Sequence, residues 1–222
     1  MKGKNVIITG SSIGIGRYTA YEFAKEGANI VITYFQDKEE ALKTYENCLK
    51  LGMERGWIYF LDIANDESMK EFIKNIKKDI KYIDILINNA GVCVWKPFKN
   101  QSLEEIELQL RINLEGLIKL TRLMLPYIKD QIINIGSGAG KVGFADLSVY
   151  CATKFGLRGF TQALAQELRH IKVYCVNPGM TATRMTDFQG VSPEKVAKVI
   201  LNTAKGIYGK PSGSDIDVWE YI

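Results

Sequence analysis

Tyr150 and Lys154 stand four residues apart in a stretch, Ser148 to Gly156, whose pattern predicts the start of a helix. One helical turn places a phenol and an ammonium on the same face. An ordinary phenol titrates near 10, too high to exchange protons readily at neutrality, and a neighbouring cation lowers that value by favouring the phenolate. A phenol tuned in this way can serve as a general acid or base. Upstream, Ser137 follows an apolar run that ends at Gly136 and reads as a strand. A Tyr-x-x-x-Lys pair alone is commonly an ordinary helix face. Its weight comes from the segments around it.

Strand-like and helix-like segments alternate along the chain. Strands are predicted at 5–9, 29–34, 57–61, 82–87, 131–135 and 171–176, with a last one at 216–219. Helices are predicted at 17–26, 38–51, 66–78, 103–127, 149–169 and 193–204. Ser102 and Glu105 have capping-box spacing, and Ser192-Pro193 supplies an N-cap with proline in the first helical position. The strand runs are continuously apolar, as required when helices cover both faces of a parallel sheet. These features predict one domain over residues 1–222, a doubly wound α/β Rossmann fold. Its sheet is mostly or wholly parallel, with about seven strands and helices on both faces.

The first strand runs into Thr9-Gly10-Ser11-Ser12-Ile13-Gly14-Ile15-Gly16 and then directly into a helix. Glycines let a backbone approach a ligand closely, and the helix N-terminus offers free N–H groups to a pyrophosphate. At the tip of the second strand stands Tyr34, where a carboxylate would select NAD by bonding the adenosine ribose. Asp37 comes three residues late. This absence favours NADP(H), with NAD(H) the alternative, although no Arg or Lys occupies the tip; Tyr34 reads equally well as a surface aromatic. Asp62-Ile63 closes the third strand and Asn88-Asn89-Ala90-Gly91 the fourth, at carboxyl ends where ligands of open α/β sheets bind. Asp62 is suited to accept from an adenine amino group.

With these motifs in this order, the chain resembles the short-chain dehydrogenase/reductase family in its compact form, and within it the 3-oxoacyl-[acyl-carrier-protein] reductases. The resemblance rests on the glycine loop, Asp62, Asn88 to Gly91, Asn113, Ser137, Tyr150, Lys154 and Pro178-Gly179. It implies a tetrad of Asn113, Ser137, Tyr150 and Lys154. Tyr150 would exchange the proton with the substrate oxygen, Ser137 would position that oxygen, and Lys154 would tune the phenol and hold a ribose. Asn113 would kink the long helix and keep a water in a relay. Pro178, Gly179, Thr181 and Thr183 would face the nicotinamide. The activity implied is interconversion of a carbonyl and a secondary alcohol, with an acyl thioester as one candidate substrate. An NAD-linked dehydrogenase and a non-catalytic nucleotide sensor are the rival readings. A homodimer or homotetramer is also implied. Two departures stand out: the segment from Met185 to Ser192 is short where relatives carry a substrate lid, and the C-terminus lacks a glycine pair.

The bulk composition restricts other classes. The 222 residues are 46% hydrophobic and 24% charged, an ordinary globular balance, and the net charge of +4 gives no reason to invoke nucleic acid. Four scattered cysteines and one histidine, His170, form no metal or disulfide pattern. His170 reads as a helix-terminal cation. Without a signal-like or membrane-length apolar run, the expectation is a soluble cytoplasmic protein. Trp95 and Phe98 are candidates to line a substrate pocket.

Overall fold

The computed structural model describes all residues from Met1 to Ile222. Seven strands form one sheet: β1 (Asn5–Ile8), β2 (Asn29–Tyr34), β3 (Gly56–Phe60), β4 (Ile83–Asn88), β5 (Ile128–Ile135), β6 (Lys172–Asn177) and β7 (Asp215–Asp217). Their order is β3-β2-β1-β4-β5-β6-β7, and every pairing is parallel. The order reverses between β1 and β4, which opens a crevice at their carboxyl ends.

The continuous apolar runs divide between two cores by the two-residue period of a strand. Val6, Ile8, Ile30 and Ile32 pack with Phe23 and Ala24 of α1 (Gly14–Lys25), Ala41 and Cys48 of α2 (Lys38–Leu51), and Val196 and Ile200 of α7 (Pro193–Ala204). Ile7 and Val31 face the other way. They join Met69, Phe72 and Ile76 of α3 (Asp66–Asp79) and Leu120 and Met124 of α5 (Leu117–Met124). A strand that must satisfy both layers has no position for a polar side chain until its end.

Helix α1 begins at Gly14, three residues before the predicted start, so its first turn is part of the glycine loop. The predicted helix over 103–127 is interrupted. Helix α4 (Leu103–Leu110) carries the expected Ser102–Glu105 capping box, then Arg111–Gly116 winds as a π-helix before α5. Such one-turn widenings occur inside α-helices and often at functional sites. Gly116 lets this turn lie against the end of β3, since a Cβ there would sit 2.0 Å from the Ile63 carbonyl oxygen. Pro126 ends the helical run in a 3₁₀ turn, and β5 starts at Ile128, three residues earlier than predicted. Helix α6 (Ser148–Glu167) stops two residues short of expectation, leaving His170 exposed beyond its end. The last strand is shifted to Asp215–Asp217, because Ile216 pairs with Val176 and the chain then turns through Val218–Glu220.

Polar side chains at the strand ends hold the layers together. Asn88 Nδ2 donates to Thr121 Oγ1 at 3.0 Å and to Asn134 Oδ1 at 2.9 Å, and Asn134 Nδ2 donates to Thr161 Oγ1 at 2.9 Å. This buried network ties β4 and β5 to α5 and α6. The tight approach at Gly116 yields a direct test. Gly116→Ala must push backbone against backbone, and a loss of about 1–3 kcal/mol is expected from such overpacking, measured as a lower urea midpoint with unchanged m-value.

Candidate active site

One large cleft, about 710 Å³, runs across the carboxyl ends of the strands. At one end stand Tyr34, Asp37, Asp62 and Ile63; at the other, Ser137, Tyr150, Lys154, Pro178 and Gly179. Between them lie Gly10, Ser12, Ile13, Gly14, Ile15, Asn89, Ala90 and Gly91.

The middle is built by the β1–α1 loop. Gly10 and Gly14 adopt positive φ of 62° and 57°, which side-chain-bearing residues rarely take. Thr9 Oγ1 accepts from the Asn89 and Ala90 amides at 2.9 and 3.0 Å, and Asn89 Nδ2 donates to the Thr9 and Gly10 carbonyls. These bonds hold the glycine loop to the end of β4. No side chain caps α1, and no acidic residue occupies its first turn. Its N-terminal amides and dipole are therefore available to an anion. A dinucleotide diphosphate fits this loop on that ground.

Four of the residues assigned from the sequence to catalysis or cofactor binding are not in the cleft wall. Ser11 is buried, donating to the Ile8 carbonyl at 2.8 Å and accepting from the Thr33 amide at 3.0 Å, so it staples the loop to β2. Gly16 faces inward, where a Cβ would lie 2.4 Å from the Gly10 oxygen. Asn88 belongs to the buried amide network. Asn113 lies in the π-helical turn, fully buried. Its Oδ1 accepts from the Val92 amide at 2.8 Å, and its Nδ2 donates to the Val92 carbonyl at 2.8 Å and to Thr153 Oγ1 at 3.3 Å. Its amide thus pins the loop that leaves Gly91 to helix α6. Arg17 turns toward α2, donating to the Ser12 carbonyl and pairing with Glu40 at 2.5 Å.

Ser137, Tyr150 and Lys154 all line the same end of the cleft. Ser137 lies two residues beyond β5 with extended backbone, and its Oγ accepts from the Ala139 amide at 3.1 Å. Tyr150 is in the first turn of α6, and Lys154 Nζ lies 5.6 Å from the centre of its ring. The ammonium is buried at 5% exposure and donates to the Ile135 carbonyl at 2.8 Å. The expected acidification of the phenol is not found in this arrangement. Burial pushes Tyr150 well above the ordinary phenol range, with Ser137 pulling it only partly back. Burial likewise takes Lys154 down from 10.5 to about 8. Desolvation disfavours both charged forms and is the largest cause of each shift.

Thr183 sits over the glycine loop, its Cγ2 3.5 Å from where a Gly14 Cβ would stand. Thr181 Oγ1 donates to the Gly179 carbonyl at 3.0 Å. The short segment after Met185 is folded back rather than open. Ala182 N donates to the Val191 carbonyl and Val191 N to the Met180 carbonyl, at 2.8 and 3.0 Å. Thr186 Oγ1 donates to the Thr181 carbonyl at 2.5 Å, with the Gln189 carbonyl also within 3.0 Å. Sequence reasoning did not single out Arg184, Met180, Phe144 or Leu147, all of which line the cleft. Their types carry no signal by themselves. Trp95 is in the wall, whereas Phe98 stands in an exposed 3₁₀ turn outside it.

Comparison with known proteins agrees with this architecture. The sequence profile of the short chain dehydrogenase family matches residues 4–192. A 3-oxoacyl-[acyl-carrier-protein] reductase, FabG, of Haemophilus influenzae is 35% identical over 217 residues, covering 95% of this chain and 86% of that protein. An NADP-dependent 3-hydroxy acid dehydrogenase of Schizosaccharomyces pombe is 31% identical over 227 residues, covering 90% and 86%. Among solved structures, a short chain dehydrogenase from Burkholderia cenocepacia in complex with NADP superposes with a TM-score of 0.90 at 27% identity, covering 97% and 96%. The chain belongs to the short-chain dehydrogenase family. It is an oxidoreductase of the kind that uses a nicotinamide cofactor and small-molecule substrates. No helix is long and apolar enough to cross a membrane.

The buried amine has a measurable cost. A lysine whose folded pKa falls from 10.5 to about 8 destabilises the fold by about 3 kcal/mol while charged in both states. That penalty is full below pH 8 and disappears as pH rises to 10.5. Lys154→Met is therefore expected to melt higher than the parent at pH 7, and the difference should shrink to nothing near pH 10.5.

Proposed function

We propose that the protein reduces an uncharged, largely apolar ketone to a secondary alcohol with NADPH, Tyr150 acting as the proton donor. The observation that carries this reading is the convergence of Ser137, Tyr150 and Lys154 on one wall of a cleft whose substrate end is apolar. That end presents Val92, Cys93, Trp95, Phe144, Leu147, Met180 and Met185, with no charged side chain among them. The two named reductase and dehydrogenase relatives support a 3-oxo or 3-hydroxy acid derivative as one member of the substrate class, with the acid group masked as a thioester.

When bound, the nicotinamide supplies the hydride; everything else falls to the chain. Ser137 Oγ, whose oxygen accepts from Ala139, turns its proton to the substrate carbonyl oxygen when substrate is bound. Tyr150 gives its phenolic proton to that oxygen as negative charge develops there. A phenol is un-ionised at neutrality, which is the form a proton donor requires. The phenolate left behind is stabilised by the Lys154 ammonium, the cation nearest the ring. Asn113 acts as a positioning residue, since its amide is committed to Val92 and Thr153. Asp62 has one carboxylate oxygen bonded to the Ala64 amide at 2.9 Å, and the other remains for an adenine amino group. Glycine loop amides hold the diphosphate. Pro178, Gly179, Thr181 and Thr183 border the nicotinamide end, and Tyr34 borders the adenosine end. We also place a homodimer or homotetramer within this reading, as the family resemblance implies.

Two measurements test the chemistry. Tyr150→Phe removes the acid without altering the cleft, so NADPH titration should be unchanged while turnover of a ketone panel falls about 10²–10⁴-fold. Retained turnover would end the assignment. For the parent, kcat/KM for reduction should decline above about pH 8, where Lys154 loses its proton. A profile flat to pH 10 would remove the ammonium from the mechanism.

A further inference from the structure

Four charged side chains reach the cleft: Asp37, Asp62, Lys154 and Arg184. Lys154 lies buried at the catalytic end. That leaves Arg184 as the cation of the outer cleft, and its position was not suggested by its place in the chain. It lies beyond β6, in the turn Arg184–Thr186, yet its Nη1 donates to Asp37 Oδ2 at 3.0 Å across 147 residues of sequence. Asp37 is three residues past Tyr34, the last residue of β2, and lines the cleft beside that strand end. It occupies the N-cap position of α2, but its side chain makes no capping bond. Its carboxylate is given to the arginine instead. Of the other nearby cations, Arg17 and Lys43 both pair with Glu40, and Lys38 is exposed outside the cleft wall with no ion pair.

This pair differs from a structural strut. The side chains are 56% and 39% exposed, and exposed ion pairs contribute little to stability. The root of Arg184 is nevertheless held. Thr186 ties the turn to Thr181 and Gln189, and the chain then passes through Asp187 and Phe188 with φ of 47° and 59°. A held backbone with an exchangeable guanidinium suits a ligand that arrives with more negative charge than one carboxylate. A phosphate monoester, recognised by the planar fork of arginine, is such a ligand.

We propose that the Arg184–Asp37 pair reads the adenosine ribose, with Arg184 receiving a 2′-phosphate and screening it from the Asp37 carboxylate. The inference rests on the cofactor reading above and adds a residue from the opposite side of the cleft to it. Without the arginine, Asp37 is a carboxylate beside the ribose, the arrangement that accepts a 2′-hydroxyl and repels a 2′-phosphate. The two members of the pair should therefore move cofactor preference in opposite directions.

The test is fluorescence titration of NADPH and NADH into the parent, Arg184→Leu and Asp37→Ala, with adenosine 2′,5′-bisphosphate and 5′-AMP as fragments lacking the nicotinamide. Arg184→Leu should weaken NADPH and the bisphosphate by about tenfold to a hundredfold, the range for a charged hydrogen bond, and leave NADH and 5′-AMP within about twofold. Asp37→Ala should strengthen NADPH relative to NADH. Equal weakening of both dinucleotides by Arg184→Leu would make the residue a diphosphate clamp and overturn the proposal. So would an unchanged NADPH/NADH ratio in both variants while the parent binds tightly. A parent that binds neither dinucleotide would overturn the cofactor reading itself, and this inference with it.

Discussion

The burial of the Lys154 ammonium is the constraint on which the rest of the site depends. A cation taken out of water needs a hydrogen-bond acceptor, and the Ile135 carbonyl at the end of β5 supplies it. That bond requires α6 to lie against the sheet at a fixed height, which sets the first turn of the helix and therefore Tyr150. Gly140 allows this approach, since a Cβ there would lie 2.7 Å from the Lys154 carbonyl oxygen. The same low-dielectric setting raises the phenol and lowers the amine. Desolvation thus acts on both groups of the site, in opposite directions on the pKa scale.

A second set of contacts transmits the position of the sheet to the cleft without touching a ligand. Asn88, Asn113, Asn134 and Ser11 are each buried and hydrogen-bonded at strand ends or helix turns. Buried amides are costly unless satisfied. Here they form the joints between parallel strands and the helices above them. The π-helical turn at Arg111–Gly116 belongs to this group, because it directs the Asn113 amide to both backbone groups of Val92. Polar residues near an active site need not be part of its chemistry; several of these hold its walls at the correct spacing.

Much of the fold was legible because one physical rule governs it. Apolar runs of four to eight residues, alternating with amphipathic helices, have few arrangements that cover both faces of a sheet. Boundaries were less legible where tertiary contacts outweigh local pattern. Helix α1 starts inside the glycine loop, where Gly16 packs against the Gly10 oxygen and the side chain of Asn89, a residue distant in sequence. The long helix is broken at Arg111 by an amide whose partner lies on another segment. Pro126 did carry a local signal, and it marks where that helical run ends.

For the candidate site, the types and order of Gly10, Gly14, Ser137, Tyr150 and Lys154 already implied a nucleotide loop and an acid–amine pair. Those features are encoded locally, by one helical turn and by the backbone freedom of glycine. Only the folded chain decides which atoms face the cleft and what their protons do. Whether a helical tyrosine is acidified or held neutral depends on the volume of protein around it, which no spacing records. Whether an arginine at position 184 meets an aspartate at position 37 depends on two loops brought together from opposite ends of the sheet. Spacing specifies neighbours along a helix or strand; desolvation and long-range charge pairing are properties of the assembled three-dimensional surface.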